Sequence, residues 1–202
     1  MKKLIPAAIR CSLMFIAVTA SLFCVRPAEA YTITLQQMGS NVVATGSGAI
    51  NLSGLTFGNS GPDESMIIAL DGELLTGPTT ASPADFYTGV SGPTSFGSGV
   101  GFIPNTGSGD FVGIIGAAGN LGVPQGYVSG AALSSSSTWN NATFASLGVI
   151  PGTYTWTWGT GLPNQNFTLV IGGVGVPDGG STVSLLSFAL LGLAAFRRKL
   201  SC

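Results

Sequence analysis

Thr153–Trp158 reads TYTWTW. Tyr154, Trp156 and Trp158 alternate with Thr153, Thr155 and Thr157 in a strict period of two. Successive side chains of a strand point to opposite sides of a sheet, whereas a helix would scatter these aromatics around its axis. One face of three large rings must be buried while the threonine face meets water. That is the pattern of a strand in an antiparallel sheet with one wet side.

The same period recurs outward from this segment. Tyr31–Gln37 (YTITLQQ) sets Tyr31, Ile33 and Leu35 against Thr32, Thr34 and Gln36. Asn41–Thr45 and Ala49–Leu52 read as short strands separated by Gly46-Ser47-Gly48, and Met66–Leu70 is a compact apolar run. Asp71-Gly72 then precedes Glu73-Leu74-Leu75, an Asp-Gly pair between apolar runs that predicts a hairpin with a type I′ turn. Phe111–Ile115, Tyr127–Leu133 and Phe167–Ile171 (FTLVI) complete the predicted strands, and Asp85–Val90 is expected at a sheet edge or in a crossover. Gly, Ser, Pro and Asn punctuate them, and no segment of the body has a helical period. The fold class is all-β: an antiparallel β-sandwich or jelly-roll-like domain.

Charge is distributed unevenly. Lys2, Lys3, Arg10 and Arg26 lie at one end of the chain and Arg197, Arg198 and Lys199 at the other. The cysteines, Cys11, Cys24 and Cys202, are also terminal, and the chain has no histidine. The body from Tyr31 onward therefore has no internal disulfide and no basic group. Its acids are Asp63, Glu64, Asp71, Glu73, Asp85 and Asp110, a side-chain charge of −6. Without His, Lys, Arg or Cys it cannot host a Ser-His-Asp triad, a thiolate nucleophile, a Lys Schiff base or a His-ligated zinc. Nucleic-acid binding needs cations against phosphates and is excluded as well.

Carboxylate chemistry alone remains. Asp71 with Glu73, and Asp63 with Glu64, are candidates for a glycosidase pair or a calcium site, against a simpler reading as solvated turn residues. The Gly97–Gly122 run lacks the Lys of a phosphate-binding loop and reads as turns and close strand packing. Trp139, Trp156 and Trp158 are candidates for a glycan-stacking platform or for the sandwich core. The expectation is a non-enzymatic domain with no metal and no cofactor. Its alternative is a module that binds extracellular polysaccharide, with a carboxylate-dependent glycoside hydrolase third.

Residues 1–30 have the layout of a secretory signal peptide. Lys2 and Lys3 precede an apolar stretch around Leu13–Val18, and Ala28-Glu29-Ala30 is a small-x-small triplet with Ala28 and Ala30 as signal-peptidase recognition residues. Cleavage is expected after Ala30. Phe23 before Cys24 argues against a lipidated cysteine.

At the far end, Thr182–Phe196 (TVSLLSFALLGLAAF) has no charge and is followed at once by Arg197-Arg198-Lys199. Fifteen residues of helix reach roughly 22 Å, short of the ~30 Å hydrocarbon core, so a span would draw in flanking residues or thin the bilayer. The basic cluster would stay cytoplasmic as a stop segment. Upstream stands Val176-Pro177-Asp178-Gly179-Gly180; Pro177 fixes its own φ and holds Val176 extended, while the glycines add no bulk.

This order of motif, short apolar segment and arginines resembles the PEP-CTERM class of bacterial sorting signals, and most closely its VPDSG-CTERM variant, with Gly179 where that motif has Ser. The resemblance implies recognition and cleavage by an exosortase-like membrane transpeptidase, with Val176, Pro177, Asp178, Gly179 and Gly180 as substrate residues. It implies delivery to the cell envelope or the extracellular matrix, often in bacteria that make exopolysaccharide. Trp139–Trp158 (WNNATFASLGVIPGTYTWTW) is similar to a segment that precedes the sorting signal in such exported proteins, and Tyr31–Leu52 resembles their opening. The predicted organisation is thus a signal peptide (1–30), an extracytoplasmic β-sandwich domain (31–175) and a C-terminal sorting signal with a transmembrane helix (176–202).

Overall fold

The computed structural model of the chain describes residues 29–172. The expected signal peptide up to Ala28, and the expected sorting segment with its transmembrane helix from Val176, lie outside the described residues, so the fold concerns the body alone. Its core strands start where the period of two starts. β1 (Tyr31–Met38) and β2 (Asn41–Ala49) form a hairpin around Gly39-Ser40, and Tyr31, Ile33 and Leu35 are fully buried. β3 (Thr56–Asp63) and β4 (Met66–Ile68) follow, then a single 3-10 turn at Ala69–Asp71, then β5 (Glu73–Thr76) and β6 (Ser82–Thr88). β7 (Thr106–Gly109), β8 (Val112–Ile115), β9 (Asn120–Pro124), β10 (Ala132–Trp139), β11 (Gly152–Thr157) and β12 (Asn166–Ile171) complete the domain. No α-helix occurs among the described residues.

The strands form two six-stranded sheets. The first has the order β11-β12-β1-β2-β10-β7 and the second β3-β6-β9-β8-β5-β4. All pairings are antiparallel except one: β1 and β12 run parallel, with Tyr31 opposite Phe167 and Leu35 opposite Ile171. The all-β expectation is met. The parallel pair is a departure, and it sends the two ends of the body out at opposite ends of the sandwich.

Between the sheets lies a continuous core. Ile33, Leu35, Trp156, Phe167 and Leu169 of the first sheet pack with Ile67, Leu74, Ile114, Leu121 and Val123 of the second. On β11, Trp156 is buried and Thr153, Thr155 and Thr157 are exposed, so the opening pattern has the orientation that its periodicity requires. Aromatic contacts tie the core together, with Phe167 5.5 Å from Tyr31 and 6.0 Å from Trp156 between ring centroids.

The second sheet is curled. β3 and β4 are its two edges, yet only Glu64 and Ser65 link them. Three Cα steps reach at most about 11 Å, whereas five strand spacings in a flat sheet are about 24 Å. The edges therefore bend toward each other, and the curl wraps a small second core of Leu75, Ala84, Phe86 and Phe111 on the face away from the first sheet. Gly122 is needed there, because a Cβ would stand 3.0 Å from Phe86 Cε1 and 3.2 Å from Phe111 Cε1.

Several local expectations are corrected. Met66–Ile68 and Glu73–Thr76 do form a hairpin, but a four-residue connection through the 3-10 turn replaces the type I′ turn, and only Gly72 takes a positive φ, 60°. β2 runs unbroken through Gly46 and Gly48. β6 is an inner strand, paired with both β3 and β9, and not an edge. Tyr127–Ala131 is a turn held by its own tyrosine, whose hydroxyl accepts from Ile50 N–H at 3.1 Å and donates to Ala131 O at 2.7 Å; the strand begins only at Ala132.

Candidate functional site

The three tryptophans are core residues. Trp139, Trp156 and Trp158 are 2%, 0% and 5% exposed. Each indole N–H donates to a backbone carbonyl: Trp139 to Phe102 at 3.0 Å, Trp156 to Pro93 at 2.7 Å and Trp158 to Asn51 at 2.7 Å. A stacking platform needs an exposed ring face, and these rings fasten loops to the sandwich. They do not form the glycan-stacking surface named in the sequence reading.

The carboxylates are dispersed in role. Asp85 Oδ1 accepts from Ser60 Oγ and Oδ2 from Gly126 N–H at 2.8 Å, and these bonds hold its carboxyl below the usual range. Asp110 Oδ2 accepts from Ser134 N–H at 2.8 Å, and Asp63 Oδ1 caps Glu64 N–H at 2.8 Å. Glu73 is half-buried on the curled sheet; desolvation, with the charges of Asp63 and Asp71 behind it, pushes its pKa up to about 7. No group of three or more acids gathers to hold a metal ion among the described residues.

A groove of about 570 Å³ opens at the end of the sandwich where β11 finishes and β12 begins. Ser91, Thr157, Trp158, Leu162, Gln165 and Asn166 line it, and of these Trp158 and Gln165 are buried. Gln165 is fully engaged: its Oε1 accepts from Thr160 N–H at 3.1 Å and Leu162 N–H at 2.8 Å, and its Nε2 donates to Ser53 O. Sequence reasoning missed this groove, because its lining comes from two segments remote in sequence, 89–91 and 157–166, whose residues are mostly ordinary polar ones.

Each end of the body has its own geometry. At the N-terminal end, Ala30 pairs with Ala49, and Ala49 N–H donates to Glu29 O at 2.8 Å, just ahead of the fully buried Tyr31. At the other end, Gly172 N–H donates to Leu35 O at 2.9 Å. Its φ of 76° turns the chain off the sheet where a Cβ would press to 3.2 Å from Pro151 Cβ. The motif begins four residues further on, at Val176.

Comparison with protein-family models supplies the function of that segment. Residues 175–200 match the VPDSG-CTERM motif. This is a variant of the PEP-CTERM type of exosortase sorting signal. The motif implies that the chain is exported to the cell surface and processed by an exosortase-like enzyme. A search of curated proteins and a search of solved structures each found no match. Among the described residues no helix is long and apolar enough to cross a membrane.

Proposed function

We propose that this chain is a non-enzymatic, exported β-domain that is held briefly at the membrane by its C-terminus and then handed to the cell envelope or extracellular matrix by an exosortase-like enzyme. The carrying observation is the position of the sorting motif: residues 175–200 follow directly on a body whose last strand ends at Ile171. In this reading signal peptidase cuts after Ala30, Thr182–Phe196 is a temporary transmembrane helix, and Arg197-Arg198-Lys199 keep its end in the cytoplasm. A body without His, Lys, Arg or Cys supports display better than catalysis. The test is fractionation of cells that carry the exosortase-like enzyme. The chain should reach the surface fraction, and Pro177→Ala with Asp178→Ala should accumulate in the membrane. A double variant that still reaches the surface would contradict the reading.

One observation favours a second reading, binding of extracellular polysaccharide. The groove between Ser91, Thr157 and Asn166 offers hydroxyl and amide groups beside the apolar Leu162, a mixture suited to sugar hydroxyls and C–H faces. Retention on an exopolysaccharide column that is lost in Asn166→Ala with Thr157→Val, at unchanged stability, would support it. Unchanged retention would remove it.

A further inference from the structure

Nine large apolar side chains are exposed among the described residues, and six of them lie at one end. They are Met38, Leu70, Val100, Phe102, Ile103 and Ile150, with exposures from 37% at Phe102 to 75% at Val100. Hydrogen bonds join the loops that carry them. Ile150 N–H donates to Phe96 O at 2.9 Å, Leu70 N–H to Gly99 O at 3.0 Å, and Phe102 N–H to Ile67 O at 3.0 Å. Residues 38–41, 96–105 and 140–151, which build most of this end, contain no ionisable side chain.

The same end is where the chain leaves the domain. Gly172 lies beside Pro151, next to Ile150, and bonds to Leu35 on β1, which continues in the same direction to Met38. The parallel pairing of β1 and β12 places the Tyr31 end on the opposite side. Nine residues, 173–181, separate Gly172 from the uncharged run that starts at Thr182. Ten Cα steps extend no further than about 36 Å. Exposed apolar side chains gathered at one end of a domain mark an interaction surface, and short tethering raises the local concentration of whatever lies at the tether's other end.

We propose that this end is a bilayer-facing surface. While the chain is anchored, Val100, Phe102, Ile103 and Ile150 would rest in the lipid interface and hold the sorting motif close against the membrane. The inference relies on the membrane-anchored reading above. Its occupant is lipid, since the chain leaves the domain at this end, at Gly172, and after nine residues enters the uncharged apolar run from Thr182. The charge of the body, −6 with no cation, would make contact depend on apolar burial and would set it against anionic headgroups.

The test uses the exported chain, extracted from cells without an exosortase-like enzyme and reconstituted into phosphatidylethanolamine–phosphatidylglycerol vesicles. With Cys202 changed to Ser (Cys11 and Cys24 leave with the signal peptide), single cysteines at Val100→Cys and Ile103→Cys, and at Val128→Cys and Leu162→Cys on the opposite end, take a polarity-sensitive fluorophore. Brominated lipid should quench the first two labels and leave the last two unaffected. If the protein floats with vesicles and all four labels respond alike, the bilayer-facing surface is refuted while the anchor stands. If the protein does not float, the anchor fails and this inference fails with it. If the Val100 and Ile103 labels turn blue with rising protein density but escape lipid quenching, a second copy covers the surface and the proposal is overturned.

Discussion

The Tyr31 hydroxyl donates to Ser135 Oγ at 2.6 Å, across 104 residues of sequence and at full burial. The direction follows from the rest of the chain of hydroxyls. Thr76 Oγ1 donates to Val112 O at 2.9 Å, so its 2.6 Å contact with Ser135 uses the Ser135 proton, and Tyr31 must supply the next one. The network thus joins β1, β10 and β5, two strands of one sheet and one of the other, and leaves no buried side-chain polar atom unpartnered among the described residues. Gly46 makes the room: a Cβ there would lie 2.8 Å from Ser135 Oγ and 2.9 Å from Tyr31 Cζ.

Gly46→Ala should therefore cost about 2–4 kcal/mol, combining overpacking with strain on a buried bond. Tyr31→Phe should cost about 1–3 kcal/mol. Together they should cost less than their sum, because removing the hydroxyl relieves part of the clash. Urea unfolding of the two single variants and the double variant measures the coupling. Burial also raises the Tyr31 pKa to about 12. Its stabilising contribution is complete below pH 10 and is lost as pH rises through 12, and phenolate absorbance should show this tyrosine titrating last.

Glu73 gives a second pH dependence in a milder range. Its folded pKa, about 7, lies above the ordinary 4.5. A raised carboxyl favours the folded state fully below pH 4.5 and loses that advantage as pH climbs through 7. The group is half-exposed, so solvent screening reduces the effect to about 1–2 kcal/mol. Thermal melts at pH 4.5 and pH 8 should differ for the natural chain, and Glu73→Gln should remove most of the difference.

Trp156 should prove structural. It is fully buried, and its N–H bonds to Pro93 O at 2.7 Å, pinning the loop that runs along β11. Trp156→Ala should lose about 3–5 kcal/mol, and Trp156→Phe clearly less. A Trp156→Ala variant that kept its stability would show that the ring is not packed as described.

The ends of the body set an order of events. Tyr31 is fully buried and Ala30 is paired with Ala49. A signal peptidase needs the Ala30–Tyr31 bond extended and accessible, so cleavage should precede the docking of β1. A full-length chain folded first and then offered to signal peptidase should resist cleavage, whereas the unfolded chain should be cut. Equal rates would contradict this.

The sequence revealed strands where a long face was aromatic or branched, and missed the short inner strand β9, whose Leu121 and Val123 are set among glycines. Tyr31–Leu35, Tyr154–Trp158 and Phe167–Ile171 keep their period because one side meets the core and the other meets water. β10 was expected too early, at Tyr127–Leu133, because its Ser134–Ser137 run carries no hydrophobic signal, although Ser135 and Ser137 are buried by their bonds to Thr76 and Gly77. β3 (TFGNSGPD) and β7 (TGSG) escaped too, since an exposed edge needs no apolar pattern. The glycines of β2 read as a break because the partner that requires Gly46, the Tyr31 ring, is remote in sequence and close only in the fold. The sorting motif was legible because another enzyme must read it as a linear string. The groove between loops 89–91 and 157–166 was not, because only the fold assembles it.

Intact mass of the surface-associated chain tests the sorting function most directly. The expected species begins at Tyr31 and lacks the segment beyond about Gly180, with Arg197-Arg198-Lys199 gone. A mature surface protein that retains residues 181–202 would contradict processing at the motif.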